Sequence, residues 1–83
     1  MANIYFGVVP TEWTDASTLG TISSDCYVQN RGNGDLLAVQ SSSEPTGQEG
    51  TYVEPKKVIK VTAGDTLWLK SVGVECNVNI SEA

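Results

Sequence analysis

At 83 residues the chain has room for one domain and one small core, since a chain this short buries little more than about 60% of its unfolded surface. With no His and only two Cys it falls short of the ligand set of a structural zinc site. A net charge of −5, from five Lys plus Arg against ten Asp plus Glu, disfavours a nucleic-acid partner, whose phosphates demand a basic patch.

The acids are scattered rather than run together, which reads as a solubility device. No apolar run approaches the roughly 20 residues of a membrane helix, and Met1-Ala2-Asn3-Ile4 lacks the basic start of a secretory signal. The expectation is no membrane, and synthesis in a cytoplasm. There Cys26 and Cys76 are expected as reduced core thiols, although a bridge between them stays open.

Asn3 to Val9, NIYFGVV, reads as a strand that stops at Pro10. Alternation sets Ile4, Phe6 and Val8 to one side and Tyr5, Gly7 and Val9 to the other. Apolar groups on both faces require a cover on both, from the following segment or from a neighbouring subunit. Residues 1–10 are therefore a candidate partner-engaging segment, with Ile4, Tyr5, Phe6 and Val8 as candidate contacts. Thr11 to Asp25 is rich in Ser and Thr, and Gly20 argues against a long helix there. A loop followed by a short strand around Thr18 to Ile22 fits better. Trp13 is either a cap over one end of the core or an exposed anchor.

Cys26 to Val39, CYVQNRGNGDLLAV, is expected to be the central hairpin. Cys26 and Val28 point inward against Tyr27 and Gln29 outward, and the return strand Asp35 to Gln40 directs Leu37 and Val39 to the same core. Arg31-Gly32-Asn33-Gly34 supplies residues that tolerate the positive φ of a tight reversal. Ser41 to Gly50, SSSEPTGQEG, is a surface loop, where binding can be lodged or where the chain merely connects.

Thr51 to Val53 is a short strand ended by Pro55. In Val58 to Val61, Ile59 and Val61 face inward and Lys60 faces water. Thr62 to Asp65 is a turn leading to Thr66–Lys70, where Leu67 and Leu69 share one face and Trp68 takes the other. Trp68 is thus a candidate contact residue, or else packs beneath a loop. Val74 to Ile80 has the cleanest alternation: Val74, Cys76, Val78 and Ile80 inward, Glu75, Asn77 and Asn79 outward. With no repeat and no linker, the reading is all-β: a single small antiparallel β-sandwich or barrel-like domain over residues 1–83, of about six to eight short strands.

Without His, the common Ser-His and Cys-His nucleophile arrangements are excluded. Asp25 and Asp35 sit beside turns, where acids cap or solvate, and the R-G-N-G-D run lacks the Lys and the helix of a phosphate loop. No catalytic residue, cofactor or metal is expected. The competing binding function is carbohydrate recognition, since Trp13, Trp68, Tyr5, Tyr27 and Tyr52 could form an aromatic platform; their dispersion along the sequence speaks against it.

The YVQNRGNGDLLAV run, the polar loop with Pro45 and Gly47, Val53-Glu54-Pro55, Leu67-Trp68-Leu69 and the terminal Val78-Asn79-Ile80-Ser81-Glu82-Ala83 together resemble small β-sandwich structural proteins of tailed bacteriophages. The likeness covers residues 26–83 and is one of strands and turns. It implies a non-enzymatic virion component made in the bacterial host cytoplasm. That component would be a capsid decoration or cement protein bound to the major capsid protein, or a neck, tail or fibre part, and a homo-oligomer. No site residue is carried over by it, and the first 25 residues lie outside it. The contacts expected from the residues themselves remain Ile4, Tyr5, Phe6, Val8, Trp13 and Trp68.

Overall fold

Among the described residues, eight strands account for every regular element except a single 3-10 turn at Ala16–Thr18. The computed structural model describes residues 3–20, 22, 25–47 and 50–83. The strands are β1 (Asn3–Val9), β2 (Thr14–Asp15), β3 (Cys26–Asn30), β4 (Leu36–Gln40), β5 (Thr51–Val53), β6 (Val58–Val61), β7 (Leu67–Ser71) and β8 (Cys76–Glu82). They form two four-stranded antiparallel sheets, ordered β1-β8-β3-β6 and β2-β7-β4-β5. That pair of orders is a jelly roll, a sandwich built from two interleaved Greek keys. The molecule's smallest dimension is 18 Å, as expected for two sheets about 10 Å apart with side chains on their outer faces.

The inward residues of alternating strands make the core. Val28, Val78 and Ile80 of the first sheet meet Leu36, Val53 and Leu69 of the second, each almost completely buried. Alternation is cleanest in β3, β7 and β8, where buried and more open positions follow each other in turn. Ile59 and Val61 face inward as expected, and Lys60 is exposed.

Four local expectations are corrected. First, β3 and β4 do not form a hairpin: β3 pairs with β6 and β8, β4 with β5 and β7. Residues 31–35 instead arch from one sheet to the other. Asn30, wholly buried, holds the arch: its amide donates to Gly34 O and to Val53 O, both at 2.7 Å, and its side-chain oxygen accepts from Gly32 N at 2.9 Å. No residue of the arch has positive φ. Gly32 is there for close approach, since a Cβ would lie 2.9 Å from Cys76 Cα.

Second, Leu36 and Ala38, not Leu37 and Val39, face the core of the sandwich, because β4 is registered with Leu36 opposite Ser71 and Ala38 opposite Leu69. Third, the short strand expected at Thr18 to Ile22 lies earlier, at Thr14–Asp15. Asp15 then caps the 3-10 turn by accepting from Ser17 N at 2.9 Å. Of the expected range, Thr21 is outside the described residues. Fourth, β8 begins at Cys76, and Val74 is exposed: Gly73 adopts a φ of 82°, and the turn ends one pair of residues later than the alternation suggests.

The second wholly buried polar residue, Ser71, repeats the logic of Asn30 at another crossing. Its hydroxyl donates to Val9 O at 2.6 Å and accepts from Cys76 N at 3.0 Å, joining β7 to the ends of β1 and β8. A buried polar group is stable only when its bonds are made, and both of these are placed where the chain changes sheets.

Candidate docking face

The outer faces of the two sheets differ. On the second sheet, Leu37 is outward by register yet completely buried. The segment from Ser41 to Gly47 folds back over this side, pinned by two indoles. Trp68 Nε1 donates to Ser41 O at 3.1 Å and Trp13 Nε1 to Gly47 O at 3.0 Å. Pro45 is buried, and Lys70 Nζ stands 5.6 Å from the centre of the Trp13 ring. Loop and indoles together roof the outer side of β4 and β7. Of the expected loop, Gln48 and Glu49 lie outside the described residues.

The first sheet has no such roof among the described residues. Its register places outward side chains in three rows. Asn3, Ser81, Tyr27 and Lys60 form one row, Phe6, Asn79, Gln29 and Val58 the next. Val8 and Asn77 begin the third, which Arg31 completes by donating its backbone N–H to Asn77 O at 2.8 Å. Phe6 is 59% exposed, Val8 44% and Val58 54%. The Arg31 guanidinium lies 5.7 Å from the centre of the Phe6 ring and donates to Gln29 Oε1 at 3.4 Å, so the cation and the exposed ring form one unit. A shallow depression of about 330 Å³ is lined by Tyr27, Gln29, Val58, Asn79 and Ser81.

The residues singled out from sequence do not converge on one surface. Phe6 and Val8 lie on this open face. Ile4 and Tyr5 are half-buried and pack against the core, because a bulge between Asn3 and Tyr5 shifts the register there. Tyr5 folds over Gly7, with its hydroxyl donating to Val8 O at 2.9 Å. Trp13 and Trp68 sit half-buried on the far side of the molecule, with both ring N–H groups engaged inside the chain. Sequence reasoning missed Arg31, Val58, Asn77 and Asn79 as members of a surface. The outward parity of Tyr27, Gln29, Asn77 and Asn79 was the available signal, but it becomes a surface only once β3 and β8 are known to be neighbours.

The aromatic rings are divided likewise: Phe6 and Tyr27 belong to the open face, whereas Trp68 is outward on the opposite sheet and Tyr52 lies opposite Leu37 there. Asp25 directly precedes β3 of the first sheet and Asp35 directly precedes β4 of the second, each at a strand start beside a turn. Asp25 accepts from Ala63 N at 2.8 Å, a turn-closing bond. Among the described residues no cluster of His, Cys, Asp and Glu suited to a metal ion occurs.

Cys26 and Cys76 are both free and buried. Cys26 lies opposite Glu82, six positions along β8 from Cys76, so about 20 Å separates the thiols, far beyond the roughly 7 Å Cα limit of a disulfide. Burial pushes the Cys26 thiol pKa up, and the neighbouring Asp25 carboxylate adds to the shift. Cys76 Sγ donates weakly to Val74 O and Asp35 O, at 3.5 and 3.6 Å.

Compared with protein-family models, curated proteins and solved structures, the chain matches none.

Proposed function

We propose that this protein is a non-enzymatic structural component of a tailed-bacteriophage virion, a capsid decoration protein that docks on neighbouring virion subunits through the open face of its first sheet. The supporting observation is the contrast between the two outer faces. One is roofed over β4 and β7 by the chain's own loop, leaving only Tyr52 of the edge strand β5 exposed among its large described apolar side chains; the other leaves Phe6, Val8 and Val58 in water. A folded domain gains little by leaving three such groups exposed on one sheet face, and exposed apolar surface of this kind marks interaction sites. The jelly-roll topology is compatible with the reading and does not carry it, since the same architecture serves viral coats and lectins alike.

The face measures roughly 20 Å by 20 Å from strand spacing and rise, about half of the ~800 Å² per partner of a standard interface. A single copy therefore holds weakly, and repetition over a symmetric particle supplies the retention. The test is sedimentation of the purified protein with particles of the phage that encodes it, prepared without this protein. Co-sedimentation at saturable stoichiometry is expected, and Phe6→Ser with Val58→Ser abolishes it. No association with heads, necks, tails or fibres overturns the reading.

Carbohydrate binding is kept as a second reading because the depression beside Tyr27 is lined by an aromatic ring, two amides and a hydroxyl. Calorimetry with a glycan panel decides it: a saturable heat that Tyr27→Ala removes favours a sugar ligand. Trp fluorescence is the wrong probe, since both indoles lie on the other side.

A further inference from the structure

The chain carries twice as many acids as bases, yet its bases are not spread over it. Of five Lys and Arg, Arg31 and Lys60 stand on the open face, and Lys56 and Lys57 follow Pro55 in the turn that enters β6 at its rim. Across the three outward rows no Asp or Glu occurs; Asp25 and Glu82 stand at the end of the sheet where β3 begins and β8 finishes, and Glu54 and Glu75 lie in turns outside the strands. Only Lys70 lies elsewhere, over Trp13 on the far side. A molecule of net charge −5 thus carries its surface cations Arg31 and Lys60 on this face, with the sheet's acids Asp25 and Glu82 confined to one end of it.

We infer that the partner of this face is an acidic protein surface, with carboxylates positioned to meet Arg31 and Lys60 and apolar groups to cover Phe6, Val8 and Val58 along the two edge strands. This rests on the docking role proposed above and specifies its partner. Three observations select the occupant. Face-to-face pairing of two copies would bring Arg31 and Lys60 toward their own equivalents, and like charges across an interface oppose association. A glycan in the depression would cover Val58 but leave Phe6 and Val8, on the edge strand β1, in water. Nucleic acid is opposed by the charge of the rest of the chain, −9 against +4 when Lys56 and Lys57 are counted with the face and Lys70 with the remainder. An acidic protein patch satisfies both halves of the face, since the cations steer and orient while the apolar groups are covered.

The experiment is retention of the protein on particles lacking it, measured in about 50 mM and about 500 mM NaCl, with wild type and the Arg31→Glu, Lys60→Glu double variant. Both substituted side chains are on the surface, and circular dichroism confirms the fold of the variant. The inference expects wild-type affinity to fall roughly tenfold or more at high salt, where charge interactions are screened beyond ~4 Å. It expects the double variant to lose a similar factor at low salt and to show little further salt dependence. Retention that is equal in both salts and in both proteins overturns the acidic partner and leaves the docking role standing. Absence of wild-type retention in either salt removes the docking role itself. Saturable binding of hexuronate or sialyl oligosaccharides to the isolated protein, lost in the double variant, replaces the protein partner with a glycan.

Discussion

Asn30→Ala removes the side chain that fixes the arch between the sheets, and its cost follows from the bonds it leaves behind. Three groups lose their partner: the carbonyls of Gly34 and Val53, each held at 2.7 Å, and the N–H of Gly32. The bond to Val53 O is buried and those to Gly34 O and Gly32 N are partly so, which keeps water from replacing all three. At about 1–3 kcal/mol per stranded buried group, less where water can enter, the loss is roughly 3–5 kcal/mol. A domain of this size is expected to hold only about 4–12 kcal/mol in total, so the variant sits near the edge of folding. Urea denaturation followed by Trp fluorescence reads this as a midpoint lowered by about 2–4 M, for a slope near ~1.2 kcal/mol/M. Asn30→Asp keeps an acceptor for Gly32 N but has no donor for either carbonyl, and is at least as destabilising. Gln29→Ala, which removes longer, exposed bonds, is the control and changes stability by less than about 0.5 kcal/mol. An Asn30→Ala midpoint within about 0.5 M of wild type would refute the account of the arch.

Three further outcomes are expected. Gly50 has a φ of 107°, and an added Cβ would collide with Val39 Cγ2 and approach Ala38 O to 2.6 Å, so Gly50→Ala costs at least about 2 kcal/mol by thermal denaturation. Lys56 occupies the third position of the Glu54–Lys57 turn with a φ of 69°, a site that suits Gly or Asn. Lys56→Gly relieves that strain, net of the unfolded chain's added freedom, and raises stability by about 0.5–1 kcal/mol in the same assay. For Cys26, the raised pKa means that the folded state favours the neutral thiol. Its contribution is complete below the unfolded value of 9.0 and is lost as pH rises through the higher folded value. Wild type should therefore lose stability above pH 9 more steeply than Cys26→Ala, and its native thiol should resist a disulfide reagent at pH 8 on the timescale of global unfolding; equal alkaline slopes would contradict this.

Much of the sandwich is legible in single strands. Cys76, Val78 and Ile80, or Leu67 and Leu69, alternate with polar neighbours, and period two leaves no other face for them. The run Leu36-Leu37-Ala38-Val39 has no such contrast, so either parity is open to it, and the choice is made by Ser71 and Leu69 across the sheet. The Arg31–Gly34 stretch suits a reversal or an arch equally. What selects the arch is the buried amide of Asn30, whose burial is a tertiary fact that local composition does not carry. The candidate face was half visible: Phe6 and Val8 declared themselves as apolar residues needing a cover, whereas Arg31 joined them only through the pairing of β1 and β3 with β8. Trp68 shows the reverse case, an outward aromatic whose cover is a loop distant in sequence.

The position of β8 between β1 and β3 sets a timetable for the chain as it is made. Val9 and its partner Cys76 are separated by about 70 residues, and at ~5–20 residues per second β1 waits roughly 3–13 s for the strand that completes its sheet. During that interval the NIYFGVV segment is an apolar strand whose partner strand has yet to be made. Synthesis is thus the period when aggregation most threatens this protein. A slow codon or a stalled ribosome shortly before residue 76 would lower the yield of folded protein without altering a single side chain.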